Sequence, residues 1–162
     1  MRLAITLALF IIALACSHAA QDALRPTGTW SVIDYDQNGV RPPADIVKQM
    51  KVVVQAERII IKPRIVAQYK PVFDGTKKAD VTFTVEADKS EEATYKLDQA
   101  KGRIDLVWRG PRGETKTTLG IYELDADALK ICFALPDKNR PKKFPDNPKT
   151  GVVRMVLKRE AK

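Results

Sequence analysis

The sequence predicts an all-β protein, a closed antiparallel barrel of about eight or nine strands with one short helix after the first strand. Short stretches rich in β-branched and aromatic residues alternate between apolar and polar side chains over most of the chain after residue 27. Turn residues separate these stretches at intervals of about 8 to 12 residues, the spacing of a sandwich or a barrel. A barrel is favoured because it buries one face of each strand and leaves no unpaired edge.

The clearest predicted element is a hairpin over residues 119–135. Two apolar runs flank a short acidic turn that begins at Asp125. Along the second run the larger apolar side chains occupy every other position and therefore share one face of the strand. These core-facing residues are Leu129, Ile131, Phe133 and Leu135. The strand at 80–86 shows the same alternation, and we expect its Val81, Phe83 and Val85 to face inward.

The other predicted elements follow along the chain. The first strand covers residues 28–35 and ends at the turn sequence Asp36-Gln37-Asn38-Gly39. Residues 44–50 are predicted to form one or two helical turns. The preceding Pro42-Pro43 stands at the start of a helix, where the missing proline N–H breaks no helical hydrogen bond. Residues 65–72 predict an irregular edge strand, because Pro71 cannot donate to a central ladder. Further strands are predicted at residues 51–55, 58–62, 93–97, 104–108, 115–124 and 152–159.

The first 20 residues are predicted to be a secretory signal peptide. Arg2 precedes an apolar run that is short for a membrane span, and small residues surround His18. Three outcomes are open: cleavage after Ala19 or Ala20; lipidation at Cys16, which follows a sequence similar to a bacterial lipoprotein box; or retention as an uncleaved membrane anchor. We expect an exported protein, periplasmic or secreted, with a flexible lead-in at residues 21–27 and one barrel domain at residues 28–160.

Loss of the leader has a chemical consequence, because His18 is the only histidine of the chain. Without it, neither a Ser-His-Asp nor a Cys-His mechanism is available, and a histidine-ligated zinc site is excluded. Cys132 remains as a lone cysteine without an imidazole to activate it, and we interpret it as a packed strand residue. We therefore predict no enzymatic activity, no metal site and no cofactor.

A series of short motifs occurs in order along the predicted barrel. They are Gly28-Thr29-Trp30, Tyr95-Lys96-Leu97-Asp98, Ile104-Asp105-Leu106, residues 119–125, residues 129–132, Arg140-Pro141, Phe144, Pro148 and Gly151. The first is similar to the G-x-W motif of lipocalins, and the series resembles the uncharacterised lipocalin-like domain family of planctomycete bacteria over most of residues 27–159. The resemblance implies a lipocalin-like barrel in an exported bacterial protein, with Trp30 plugging the closed end beneath Arg154 or Arg159. It implies no activity, and Ala126 departs from the glycine that the family often has in this turn.

Aromatic residues on the predicted strands give the first functional hypothesis, a cavity that binds a small apolar or amphipathic molecule. The candidate ligand-binding residues are Trp30, Phe83, Tyr95, Trp108 and Phe133. This hypothesis predicts an open-mouthed cavity of at least a few hundred cubic ångströms. The same side chains are also compatible with a filled core.

A proline-rich basic segment before the last strand gives the alternative, an envelope interaction module. The candidate basic-patch residues are Lys138, Arg140, Lys142 and Lys143, in a chain of net charge +8. In an exported protein such a loop favours contact with an anionic envelope polymer or a partner protein. Nucleic acid is not expected, because Phe144 is the lone aromatic residue there, whereas single-strand binding usually uses several stacking aromatics.

Overall fold

The structure is a computed structural model that describes residues 25–71, 79–110, 112–146 and 151–161. Its strands are β1 (Gly28–Gln37), β2 (Lys51–Val54), β3 (Arg58–Lys62), β4 (Arg64–Pro71), β5 (Ala79–Glu86), β6 (Glu91–Asp98), β7 (Arg103–Arg109), β8 (Thr115–Leu124), β9 (Ala128–Ala134) and β10 (Val152–Arg159), and one short helix, α1 (Ala44–Val47), follows β1. No helix in these described ranges is long and apolar enough to cross a membrane. The predicted signal peptide and Cys16 lie outside the described residues.

Eight strands form a closed antiparallel barrel in the order β1-β10-β9-β8-β7-β6-β3-β2, which confirms the predicted fold class. β1 closes the barrel because it pairs with both β2 and β10. Its pairing with β10 brings Trp30 opposite Arg159, and a bulge between Val32 and Asp34 leaves Ile33 exposed on the outside. The predicted hairpin over residues 119–135 is present as β8 and β9.

β4 and β5 form a separate two-stranded ribbon that is inserted between β3 and β6. The edge strand predicted at residues 65–72 is therefore confirmed as β4. The expected inward position of Val81, Phe83 and Val85 in the barrel is wrong, because these residues pair across the ribbon with Tyr69, Ala67 and Ile65. Alternation along a strand shows that one face is apolar, but it does not show which sheet the strand joins.

The barrel interior is packed with apolar side chains from all eight strands. Trp30, Met155 and Leu157 are fully buried, and Leu106, Leu129 and Ile131 are 1% exposed. Burial of side chains of this size stabilises the fold by about 1.5–3 kcal/mol each. Around Ile59, Leu129 and Ile131, towards the end of the barrel where β1 begins and β10 ends, the side chains leave a space of about 10 Å³.

Trp30 and Arg159 seal this closed end. The Trp30 indole Nε1 donates a hydrogen bond of 2.8 Å to the carbonyl oxygen of Pro26, and the Arg159 guanidinium carbon lies 4.1 Å from the centroid of the Trp30 rings. Arg159 also donates to the carbonyl oxygens of Thr27, at 2.8 Å, and Ala126, at 3.1 Å. The resemblance implied that Arg154 or Arg159 covers Trp30, and in the structure it is Arg159.

We expect Arg159→Met to lower the free energy of unfolding by about 1–3 kcal/mol, because it removes a cation–π contact and two charge-assisted hydrogen bonds. Lys158→Met is the matched control, because Lys158 is exposed on the same strand. Urea unfolding followed by circular dichroism measures both variants. Equal stability of the two variants would contradict a structural role for the Arg159 contacts.

Candidate functional site at the barrel mouth

The end of the barrel opposite Trp30 contains a cavity of about 220 Å³. Its apolar wall comes from several strands and the segment before β2: Met50, Ile61, Ile65, Phe133, Val153 and Met155. Polar side chains also line it: Tyr35, Arg64, Glu91, Lys116 and Thr118. We call this space the mouth cavity. An apolar wall with a few polar groups is typical of small-molecule sites.

The pleat of β8 explains the polar groups on one side of the mouth. Thr118 and Tyr122 are buried and lie four positions apart, so they share the inward face of the strand. Lys116 lies two positions before Thr118 and therefore continues the same face to the rim of the barrel. Thr118 is buried next to the apolar wall, whereas Lys116 is exposed at the rim.

Trp108 forms the wall of the mouth cavity beside Thr118. Its indole Nε1 donates a hydrogen bond of 3.0 Å to the Thr118 hydroxyl oxygen. Its ring centroid lies 6.2 Å from that of Phe133 with the planes tilted by 45°. An aromatic pair of this geometry contributes about 0.5–1.5 kcal/mol beyond its buried area. The hydrogen bond and the ring contact together hold the indole in one orientation.

Arg64 holds two carboxylates at the base of the ribbon. Its Nε lies 3.4 Å from Glu91 Oε1, and its Nη1 lies 3.6 Å from Glu86 Oε2. Burial raises the pKa of Glu91, and Arg64 partly opposes this shift. Burial and then the nearby Glu91 also raise the pKa of Tyr35. The Tyr35 hydroxyl is therefore protonated at neutral pH, and it donates a hydrogen bond to Gln37 Oε1 at 3.1 Å.

The five predicted ligand-binding residues do not form one site. Trp108 and Phe133 line the mouth cavity, whereas Phe83 lies on the ribbon. Trp30 and Tyr95 fill the closed half, where the Tyr95 hydroxyl donates to the carbonyl oxygen of Gln55 at 2.8 Å. The mouth cavity is also smaller than the few hundred cubic ångströms expected, because the side chains of Trp30 and Tyr95 occupy the closed half of the barrel.

Sequence reasoning missed several lining residues. The alternation of β8 was a usable signal for Thr118 and Lys116, since both share a face with the apolar Tyr122. Ile65 and Arg64 had no such signal, because their position depends on where the ribbon leaves the barrel. Tyr35 lies beyond the bulge in β1, and a bulge disrupts the simple alternation that predicts which face a residue occupies.

Arg140, one of the predicted basic-patch residues, fastens the segment after β9 to the barrel wall. Its guanidinium lies 2.6 Å from Asp105 Oδ1 and donates to the carbonyl oxygens of Ile104 and Gly120. Arg154 of β10 fastens the same segment farther along by donating to the carbonyl oxygen of Pro145, and Asp34 of β1 pairs with the same guanidinium. Lys138, Lys142 and Lys143 remain exposed. Their binding to an anionic polymer stays a prediction.

Cys132 is fully buried on the outward side of β9, between the inward-facing Ile131 and Phe133. Burial raises its pKa to about 11, although the nearby Arg154 opposes the shift. The residue is therefore a protonated thiol at neutral pH, in agreement with its interpretation as a packed strand residue.

The carboxylate of Asp36, near the end of β1, is used in internal contacts. Asp36 Oδ1 accepts from the backbone N–H of Gly39 at 2.8 Å, and its Oδ2 lies 3.3 Å from Arg41 Nε. Within the described ranges, no group of three or more His, Cys, Asp or Glu side chains is arranged to hold a metal ion.

Comparison with known proteins found no matching family model, no matching curated protein and no matching solved structure.

We expect Arg140→Met to increase the rate of maleimide labelling at Cys132 about tenfold or more. The substitution removes charge-assisted hydrogen bonds worth roughly 1.5–3 kcal/mol each, so the segment over the outer wall opens more often. Peptide mass analysis assigns the modified cysteine. Lys142→Met, an exposed change in the same segment, is the control and should label at the wild-type rate. Equal rates in the two variants would show that Arg140 does not fasten the segment.

We expect the Cys132 thiol of the folded protein to stay protonated until the pH approaches 11, whereas an unfolded thiol ionises near 9. Because the folded pKa is the higher one, its contribution to stability is complete below about pH 9 and is lost as the pH rises towards 11. The ¹³C chemical shift of the Cys132 Cβ measures the ionisation. A midpoint near 9 in the folded state would contradict the effect of burial.

Proposed function

We propose that this protein is an exported, non-enzymatic β-barrel that binds a small apolar or amphipathic molecule in its mouth cavity. The observation that carries the proposal is the contrast between the two ends of the barrel. Trp30 seals one end, whereas the other contains an apolar space of about 220 Å³ with polar groups in its lining. The exported setting rests on the leader sequence alone.

The volume limits the size of the ligand. A water-sized group occupies about 30 Å³, so the mouth cavity accommodates a chain of about seven or eight heavy atoms. Each methylene moved from water into an apolar site contributes about 0.8 kcal/mol. A short alkyl chain or one small ring is therefore the part of the ligand that this space fits.

The chemistry of the mouth supports binding rather than catalysis. The Thr118 hydroxyl accepts a hydrogen bond from Trp108, and no described histidine is present to activate it. Cys132 lies on the outward side of β9, away from the mouth, with a raised pKa. Glu91 is paired with Arg64. These contacts hold the lining in place and leave the apolar wall as the binding surface.

We expect octyl glucoside, used below its micelle concentration, to raise the melting temperature and to change the tryptophan emission. Trp108 lines the mouth cavity and Trp30 lies at the sealed end, so the emission change should disappear in Trp108→Phe. Leu135→Trp should abolish the stabilisation, because a larger side chain at the rim fills the cavity.

Ile33→Trp is the matched control, because Ile33 is 59% exposed on the outer wall. Circular dichroism without ligand verifies that both variants fold. No stabilisation of the wild type by octyl glucoside, or equal stabilisation of the two tryptophan variants, would contradict binding in the mouth cavity.

A further inference from the structure

The mouth cavity meets a groove on the outer wall of the barrel. This outer groove is formed by residues at the mouth ends of β6, β7 and β8 and by Arg58 of β3. Four residues line both spaces: Arg64, Glu91, Trp108 and Lys116. The mouth cavity and the outer groove are therefore continuous across the rim that these four residues form.

The outer groove is rich in cations. Its charged residues are Arg58, Arg64, Arg109 and Lys116, together with the carboxylates Glu91 and Glu92. The two carboxylates are already used, since Glu92 lies 3.2 Å from Arg58 and Glu91 lies 3.4 Å from Arg64. Neither Lys116 nor Arg109 forms an ion pair with a carboxylate in the part of the chain that the structure describes. Among the described residues, no carboxylate therefore balances these two cations.

Lys116 connects the two spaces. It shares the inward face of β8 with the buried Thr118 and also lines the outer groove. An ammonium group at this boundary lies where a molecule that fills the mouth cavity would reach water. Arg109, at the end of β7, adds a second cation on the outer side.

We propose that the mouth binds a single-chain amphiphile with an anionic head group, with its tail in the mouth cavity and its head in the outer groove against Lys116 and Arg109. The inference rests on the proposed function, which supplies the site for the tail. A chain longer than about eight atoms exceeds the cavity volume, so its polar end must emerge at the rim beside these cations. A negative head group there gains charge-assisted contacts that a neutral or cationic head group lacks.

The test compares three octyl compounds by titration calorimetry below their micelle concentrations: octyl sulfate, octyl glucoside and octyltrimethylammonium. We expect octyl sulfate to bind the wild type at least about tenfold more tightly than the other two, the factor that one favourable contact of about 1.4 kcal/mol produces. Lys116→Gln/Arg109→Gln should weaken octyl sulfate about tenfold and octyl glucoside less, so that the preference for the sulfate head group is lost.

Lys96→Gln/Lys158→Gln is the matched control, because it removes the same charge from exposed positions elsewhere on the barrel. It should leave octyl sulfate binding unchanged. Equal affinity for the three compounds, or an equal loss in both double variants, would overturn the anionic head-group site while leaving the proposed function intact. Inorganic sulfate that binds as tightly as octyl sulfate would overturn the joint site, since the tail would contribute nothing. A failure of all three octyl compounds to bind would overturn both proposals.

Discussion

Closure of the barrel through β1 is the constraint on which the rest of the structure depends. β1 pairs with β2 at its beginning and with β10 along most of its length, so the two ends of the chain's barrel domain are joined side by side. The pairing of Trp30 with Arg159 spans nearly the whole domain, and such long-range pairing orders the chain at a high entropic cost. Burial of Trp30 and the contacts of Arg159 offset part of this cost where the strands meet. The contacts of Trp30 and Arg159 thus join the two ends of the domain and also fill the closed end of the barrel.

The two ends of the barrel differ because their connections differ. Short turns join β2 to β3 and β8 to β9 at the closed end, so the side chains of this end pack on one another. Three of the four connections at the mouth are longer: α1 and its flanking residues, the β4–β5 ribbon, and the segment between β9 and β10. Described residues of all three connections, among them Met50, Ile65 and Pro136, line the opening. A space lined by Phe133 and Trp108 therefore remains at the mouth, although similar residues fill the other end.

Arginine side chains hold the longest connection in place. Arg140 and Arg154 hold the segment after β9 against the outer wall: Arg140 contacts Asp105 and backbone carbonyl groups, and Arg154, which is paired with Cys132 across β9 and β10, donates to the carbonyl oxygen of Pro145. A guanidinium group suits this role because it donates several hydrogen bonds in fixed directions. The charge of Arg140 is paired with Asp105, whereas the charges of Lys116 and Arg109 are exposed at the mouth. The position of a cation in the fold, more than its position in a basic stretch of sequence, decides whether it is available to a ligand.

The sequence by itself determined the fold class, most strand positions and the pairing of β8 with β9, because alternation along a strand and turn residues between strands are local properties. It also determined that Trp30 lies at the start of the first strand and that Cys132 lies within β9. Only the tertiary structure decided that β4 and β5 leave the barrel, since Phe83 has the same alternating pattern as a barrel residue. It also decided that Arg159 covers Trp30 and that Arg64, Trp108 and Lys116 meet at one rim. The contact of Arg159 with Trp30 and the approach of Arg64 to Trp108 and Lys116 join residues far apart in the chain, and no local pattern encodes them.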